Sequence, residues 1–315
     1  MSAPDAASAQ AAARGVVARL GAPIRAPVQV LYAEPKRPLA EALLAELAVQ
    51  RVQAELILLS DAPDTDTSSP TGAPAVRSAA ACGSLVILAE PPQVPWLFET
   101  VGRPDRGLQV ALDHLYCDWL LPYDSLIRTL SVDYACVHAW RERLLDLLQG
   151  TSQLCIQTGP NAELTLVPRA WIAEDGEICA APNKESIHGT LVVDGAVYDR
   201  LPWPPIELHL VAGRVVDPDA LKRDDACLRM LYTDLTRDEN AAQMAEFGLG
   251  INPGACPRAH VMETEMGLGT CYVGLGHNLA YGGSSASMVY TDPGMLRPTS
   301  MVDGRMICHR GRYLL

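Results

Sequence analysis

Apolar positions cluster first in "VQVLYAE" (Val28–Glu34), a short run closed by Pro35, which is the pattern of a buried strand. "RPLAEALLAELAVQ" follows with apolar residues at helical spacing. "AELILLSD" (Ala54–Asp61) and "GSLVILAEP" (Gly83–Pro91) add two more buried strands. This strand–helix rhythm predicts a parallel, Rossmann-like sheet, because parallel neighbours need a crossover connection between them. "DAPDTDTSSPTGAP" is polar and rich in Pro, Ser and Thr, so it reads as a loop. Residues 1–25, Ala- and Ser-rich, are expected to form a flexible N-terminus, with a short helix over the first twenty or so as the alternative.

Between about 107 and 150 the pattern turns mostly helical, and "SVDYACVHAWRERLLDLLQG" is an amphipathic helix closed by Gly150. From Leu154 onward it changes again. "LCIQTGPNAELTLVP" reads as a hairpin about Gly-Pro-Asn, and "GTLVVDGAVY" and "IELHLVAGRVV" read as strands. Asp217–Gly250, "DPDALKRDDACLRMLYTDLTRDENAAQMAEFGLG", reads as one long helical stretch opened by Asp-Pro and ended by glycine. The expected organisation is a Rossmann-like α/β domain over 26–150 and an α+β domain over 151–315.

Composition narrows the function. The 25 basic and 37 acidic side chains give a formal charge of −12, which argues against nucleic acid or an anionic membrane as partner. The first strand-to-helix turn, "YAEPKRP", has no glycine, so a dinucleotide cofactor is rejected. Nine cysteines without a CxxC pair suggest neither a zinc ribbon nor a disulfide framework, and a reduced cytoplasmic protein is expected. "MSAPDAASAQAAARG" lacks the apolar run of a signal peptide.

The candidate chemistry lies in Glu263–Asp292, "ETEMGLGTCYVGLGHNLAYGGSSASMVYTD". Together with "GEICAAPNKESIHGTLVVDGAV", "EFGLGINPGA", "RPTSMVDGRMI" and "GRYLL", this segment resembles the thermophilic metallo-aminopeptidase family and its iron-dependent relative, 2,5-dihydroxypyridine dioxygenase. The resemblance implies an aminopeptidase-like second domain carrying a metal site. Its ligands would be a Glu before "VFxAP", a Glu shortly before "LGTxHxAxG", the His of that segment, and a terminal His-x-Asp. Carried onto this chain, these positions are Glu177, Glu265, Tyr272, Tyr290 and Asp292. Both imidazoles are replaced by phenols.

That replacement changes the chemistry. Neutral imidazole is ready to ligate zinc or ferrous iron near pH 7, whereas a phenol with an ordinary pKa of about 10 must first lose its proton. A phenol is also longer than an imidazole and fills space that a metal would use, so no metal and no cofactor is expected. The chain is similar in this respect to the peptide-binding proteins of crocagin-type ribosomal peptide biosynthesis. That resemblance implies a non-catalytic protein holding a precursor peptide for a modifying enzyme, with a homodimer as the family's usual state. Two alternatives stay open: a metal-dependent hydrolase or non-haem iron oxygenase using Glu177, Glu265, Asp292 and His277, or a metal-free enzyme in which Tyr and carboxylate do acid–base work.

Around this set, His188 and His277 read as structural or exposed histidines, with pocket lining as the alternative. Lys184 and Arg297 are candidate anchors for a ligand carboxylate, or are simply solvated. Strand alternation is expected to turn Cys179 and Cys271 away from the site, and no partner is evident to activate either thiol.

Overall fold

The computed structural model describes residues 6–20, 24, 26–59, 84–89, 114–116, 121–173, 176–222, 225–258 and 260–315. The expected loop at residues 61–74 lies outside them, as does most of 107–120, the first part of the expected helical stretch. The chain divides into two compact units, Met1–Tyr134 and Ala135–Leu315. No helix among the described residues is long and apolar enough to cross a membrane.

The first unit is built on β1 (Val28–Tyr32), β2 (Ala54–Leu58), β3 (Ser84–Leu88) and β4 (His114–Tyr116), in the order β2-β1-β3-β4. All three pairings are parallel. β4 is a correction, since that stretch reads as helical in the sequence. β1 and β3 are the inner strands, and their near-complete burial matches their continuous apolar runs.

Residues 6–20 take the helical alternative. They form helix α1 (Ala6–Leu20), which buries Ala9, Ala12, Ala13, Val16 and Val17. Gly15 lets α1 approach the Leu130 carbonyl at the end of α3 (Tyr123–Leu130) more closely than any side chain would allow. α2 (Arg37–Val49) packs on α1 and buries Leu39, Leu43 and Leu47. Burying these alanines and valines outweighs the fraying that an isolated Ala/Ser-rich terminus would show.

The second unit begins with α4 (Tyr134–Leu148), which the sequence reading had assigned to the first domain. Its Trp140 ring lies 5.6 Å from that of Tyr313, near the C-terminus, and this tertiary contact is invisible in local pattern. Glycine closes the helix as expected, Gly150 taking a φ of +74°.

Fourteen strands follow: β5 (Leu154–Gly159), β6 (Ala162–Leu166), β7 (Ile172–Ala173), β8 (Glu177–Ala180), β9 (His188–Val193), β10 (Ile206–Val211), β11 (Arg214–Val216), β12 (Met244–Gly250), β13 (Cys271–Gly276), β14 (Tyr290–Thr291), β15 (Gly294–Met295), β16 (Thr299–Val302), β17 (Arg305–His309) and β18 (Arg312–Tyr313). Eight of them form the antiparallel sheet β11-β10-β9-β6-β5-β16-β17-β18. The other six form the sheet β14-β13-β12-β8-β7, in which β15 also pairs with β13.

The long helix expected over Asp217–Gly250 is not one helix. Only α5 (Ala226–Leu235) is α-helical, capped by Asp225 through the Leu228 N–H, and Met244–Gly250 is the fully buried strand β12. Alternating glycines suit a strand lying under bulky neighbours far better than a helix, where each glycine would cost about 1 kcal/mol. A short helix, α6 (Val261–Met266), then leads into β13.

Candidate functional site

The site is laid out by one sheet face. β12 and β13 run antiparallel with Glu246 opposite Gly274 and Gly248 opposite Tyr272. β8 places Cys179 opposite Gly248 and Glu177 opposite Gly250. β14 places Tyr290 opposite Gly276. Directly paired residues share a face, so Glu177, Glu246, Tyr272 and Tyr290 emerge on the same side, each facing a glycine across its strand pair. In sequence this is E-x-G-x-G at Glu246–Gly250 and Y-x-G-x-G at Tyr272–Gly276. The intervening residues Phe247, Leu249, Val273 and Leu275 point to the other face and are buried, with Trp171 edge-on to Phe247 at 6.5 Å.

The glycines make room for the large side chains. A methyl at Gly248 would sit 2.6 Å from Tyr272 Oη and nearer still to its Cε1 and Cζ, so the Tyr272 ring lies across the β12 backbone there. A methyl at Gly274 would meet Glu246 Cβ at 2.9 Å, Asp292 Oδ1 at 3.1 Å and Tyr290 Cε2 at 3.3 Å. Those three residues therefore surround Gly274.

Glu246 is the centre of the arrangement. Fully buried, it receives the Tyr272 hydroxyl on Oε1 at 2.9 Å and the Tyr290 hydroxyl, in a short bond, on Oε2. The hydroxyls of Tyr281 and Tyr290 are 2.9 Å apart. Since Tyr290 gives its one proton to Glu246, Tyr281 is the donor to Tyr290. The rings of Tyr281 and Tyr290 are stacked with centroids 6.0 Å apart and 12° between planes. A hydrogen-bonded chain thus runs Tyr281–Tyr290–Glu246–Tyr272 from the surface into the core.

Both inner phenols are held protonated. Burial raises the Tyr272 pKa well above its ordinary value, and the charges of Glu177 and Glu246 push it further. For Tyr290 burial again leads, followed by Asp292 and Glu246. The Tyr290 residue is 41% exposed, but its hydroxyl turns inward against Glu246, and it is the hydroxyl that titrates.

The structure gathers Glu177, Tyr272, Tyr290 and Asp292 around Glu246, which the sequence reading missed. Glu265 lies on a different element from these strands. It is buried on α6, and a methyl at Gly250 would lie 2.6 Å from its carbonyl oxygen. The signal for Glu246 was the repeated pattern of an acid or phenol followed by two alternating glycines.

Cys179 is a second correction. Two residues from Glu177 on the same strand, it shares Glu177's face and lies on the row of Gly248 and Tyr272. Cys271 does face away, with Cys308 and Asp194 as neighbours.

Of the remaining candidates, three are exposed and one lies beside β14. Lys184 is exposed beside Glu185 at 3.9 Å. His188 is exposed, its Nε2 3.0 Å from the Glu185 carbonyl. Arg297 is exposed. His277 is half-buried and follows Gly276 directly, its N–H donating to the Val289 carbonyl at 2.8 Å, one residue from Tyr290.

The resemblance raises the question of a metal here, and the donors do not fit one. Both oxygens of Glu246 accept phenol protons, and neither phenol is near ionisation. Among the described residues no group of three or more His, Cys, Asp or Glu is placed to hold a metal ion. A cation would have to expel two protons from phenols that burial and negative neighbours hold neutral.

No family model matches the chain, and no curated protein sequence matches it. Solved structures do. 2,5-Dihydroxypyridine dioxygenase from Pseudomonas putida KT2440 is similar with a TM-score of 0.69 at 15% identity, covering 99% of this chain and 98% of the dioxygenase. Wild-type AmpT from Thermus thermophilus is similar with a TM-score of 0.60 at 14% identity, covering 98% of this chain and 99% of AmpT. At such identities the likeness is one of fold: the chain is a distant fold relative of both.

Proposed function

We propose that this chain is a non-catalytic peptide-binding protein on an aminopeptidase-like fold, one that holds a precursor or other short peptide for a separate modifying enzyme. One observation carries the reading: both oxygens of Glu246 are occupied by the hydroxyls of Tyr272 and Tyr290. Phenols in this position replace a cation's attraction for the carboxylate with two charge-assisted hydrogen bonds. Binding and bond cleavage are separable, because catalysis needs interactions made specifically in the transition state. Without a Lewis acid the cluster has no ready means of activating water, whereas the carboxylates of Glu177, Glu246 and Asp292 gather negative charge around the phenols, which suits a peptide's α-ammonium group nearby.

Calorimetric titration with free-amine peptides, metal quantification on protein from metal-supplemented growth, and a peptidase assay together test the proposal. The expected result is saturable peptide binding with less than 0.1 equivalents of transition metal (roughly the level of adventitious binding) and no cleavage. One equivalent of metal with metal-dependent turnover overturns it. So does failure of every free-amine peptide to bind.

A further inference from the structure

The open end of the six-stranded sheet carries a main-chain hydrogen-bonding position beside the tyrosine cluster. β14 is the end strand of the sheet order. Its partner β13 keeps one register through β14 and β15, from Gly276–Tyr290 to Cys271–Met295. Gly276 gives its N–H to the Gln243 carbonyl at 2.7 Å, and His277 gives its own to Val289 at 2.8 Å. Gly276–Tyr290 is therefore a non-hydrogen-bonded pair of the ladder, and the N–H and C=O of Tyr290 point away from β13 toward the open edge.

Further along, the equivalent carbonyl of Gly294 is covered by the Gly195 N–H at 2.9 Å. Among the described residues nothing covers the main chain of Tyr290 in that way. Met288, in the bend before β14, and Tyr290 are 76% and 41% exposed, while Val289 and Thr291 are buried. Tyr281 adds to the exposed surface at Tyr290 by stacking on it.

We propose that an extended peptide carrying a large apolar side chain docks along this edge, exchanging main-chain hydrogen bonds with Tyr290 and laying that side chain on Met288 and the Tyr281–Tyr290 stack. This deepens the peptide-binding reading and rests on it. Three features argue for this occupant. An outward N–H and C=O on one strand residue are matched by another extended main chain. The exposed side chains beside them, Met288 and Tyr290, offer apolar surface, while the carboxylate at Met288, that of Asp238, is engaged by the Met288 N–H and the Ser287 hydroxyl. Asp292 and Glu246 lie at the inner end of the same ring, where a cationic peptide terminus is favoured.

The probes are free-amine pentapeptides composed of Leu, Val, Phe and Ala, screened by calorimetry against the full chain. The best binder is then remade in two forms, N-methylated at its odd or its even residues. Strand addition directs alternate N–H groups at the protein, so one form loses about tenfold or more in affinity and the other is tolerated. Met288→Glu, at an exposed position, is expected to weaken the parent peptide by a similar factor without changing the melting temperature.

Equal tolerance of both methylated forms, or undiminished binding by Met288→Glu, overturns edge docking while leaving peptide binding intact. If no pentapeptide binds, the peptide-binding reading falls and edge docking with it. Concentration-dependent self-association that Met288→Glu abolishes and peptide does not compete with assigns the edge to a second copy instead, and overturns the proposal.

Discussion

Replacing Gly248 with alanine tests the geometry of the site most directly. Taken alone, alanine should suit a strand better than glycine by about 0.5–1 kcal/mol, because glycine loses more conformational freedom on folding. The Tyr272 ring reverses the sign. The new methyl would lie 2.6 Å from Tyr272 Oη and closer to two ring carbons, against an ordinary separation of about 3.5 Å. The ring must retreat by about 1 Å or more from a position where it is 1% exposed. Overpacking of this kind costs about 1–3 kcal/mol. The retreat also strains the 2.9 Å bond to Glu246, and a hydrogen bond to a buried charge contributes about 1.5–3 kcal/mol. With the glycine term subtracted, the net loss is about 3 kcal/mol, or roughly 6–12 °C in melting temperature for a domain of this size.

Urea unfolding followed by Trp fluorescence measures that loss. A double-mutant cycle with Tyr272→Ala isolates its origin: with the ring gone, Gly248→Ala should become neutral or stabilising, giving a coupling of at least about 2 kcal/mol. A neutral Gly248→Ala in the otherwise unchanged protein would refute the placement of the ring over β12.

Two further predictions concern the phenols. The neutral form of Tyr272 is favoured in the fold, so its pKa is raised above the value near 10 of the unfolded chain. Its contribution is therefore fully present below pH 10 and is lost as pH rises toward the folded pKa, at up to about 1.4 kcal/mol per pH unit. Tyr290 follows with the same sign. Unfolding curves between pH 9 and 11.5 should show this slope in the native sequence and a shallower one in Tyr272→Phe; equal slopes would remove the claim. The second prediction restores imidazoles: the double substitution Tyr272→His with Tyr290→His leaves Glu246 free to ligate and should bind about one equivalent of zinc by equilibrium dialysis, against almost none for the native sequence. No gain in zinc would mean that the surrounding acids are not arranged to support a metal at all.

Much of the fold could be read locally. The strands at Val28–Tyr32, Ala54–Leu58 and Ser84–Leu88, the hairpin of β5 and β6, and the glycine stop at Gly150 each follow from period, turn chemistry or backbone freedom within a few neighbouring residues. That Tyr272 and Tyr290 belong to the site was legible too, because both stand in an ordered, glycine-rich motif.

Tertiary structure decided the rest. Glu246 was hidden because its segment read as the end of a helix, and only the pairing of β12 with β8 and β13 makes it a central buried strand. Which acid meets the phenols is likewise a matter of register. Glu265, much nearer Tyr272 in sequence, lies on another element, while Glu246 is brought to both phenols across two strand pairings. Residue type sets what a side chain can donate or accept, but its partner and its burial depend on strand alignments between residues far apart in the chain, which no local window contains.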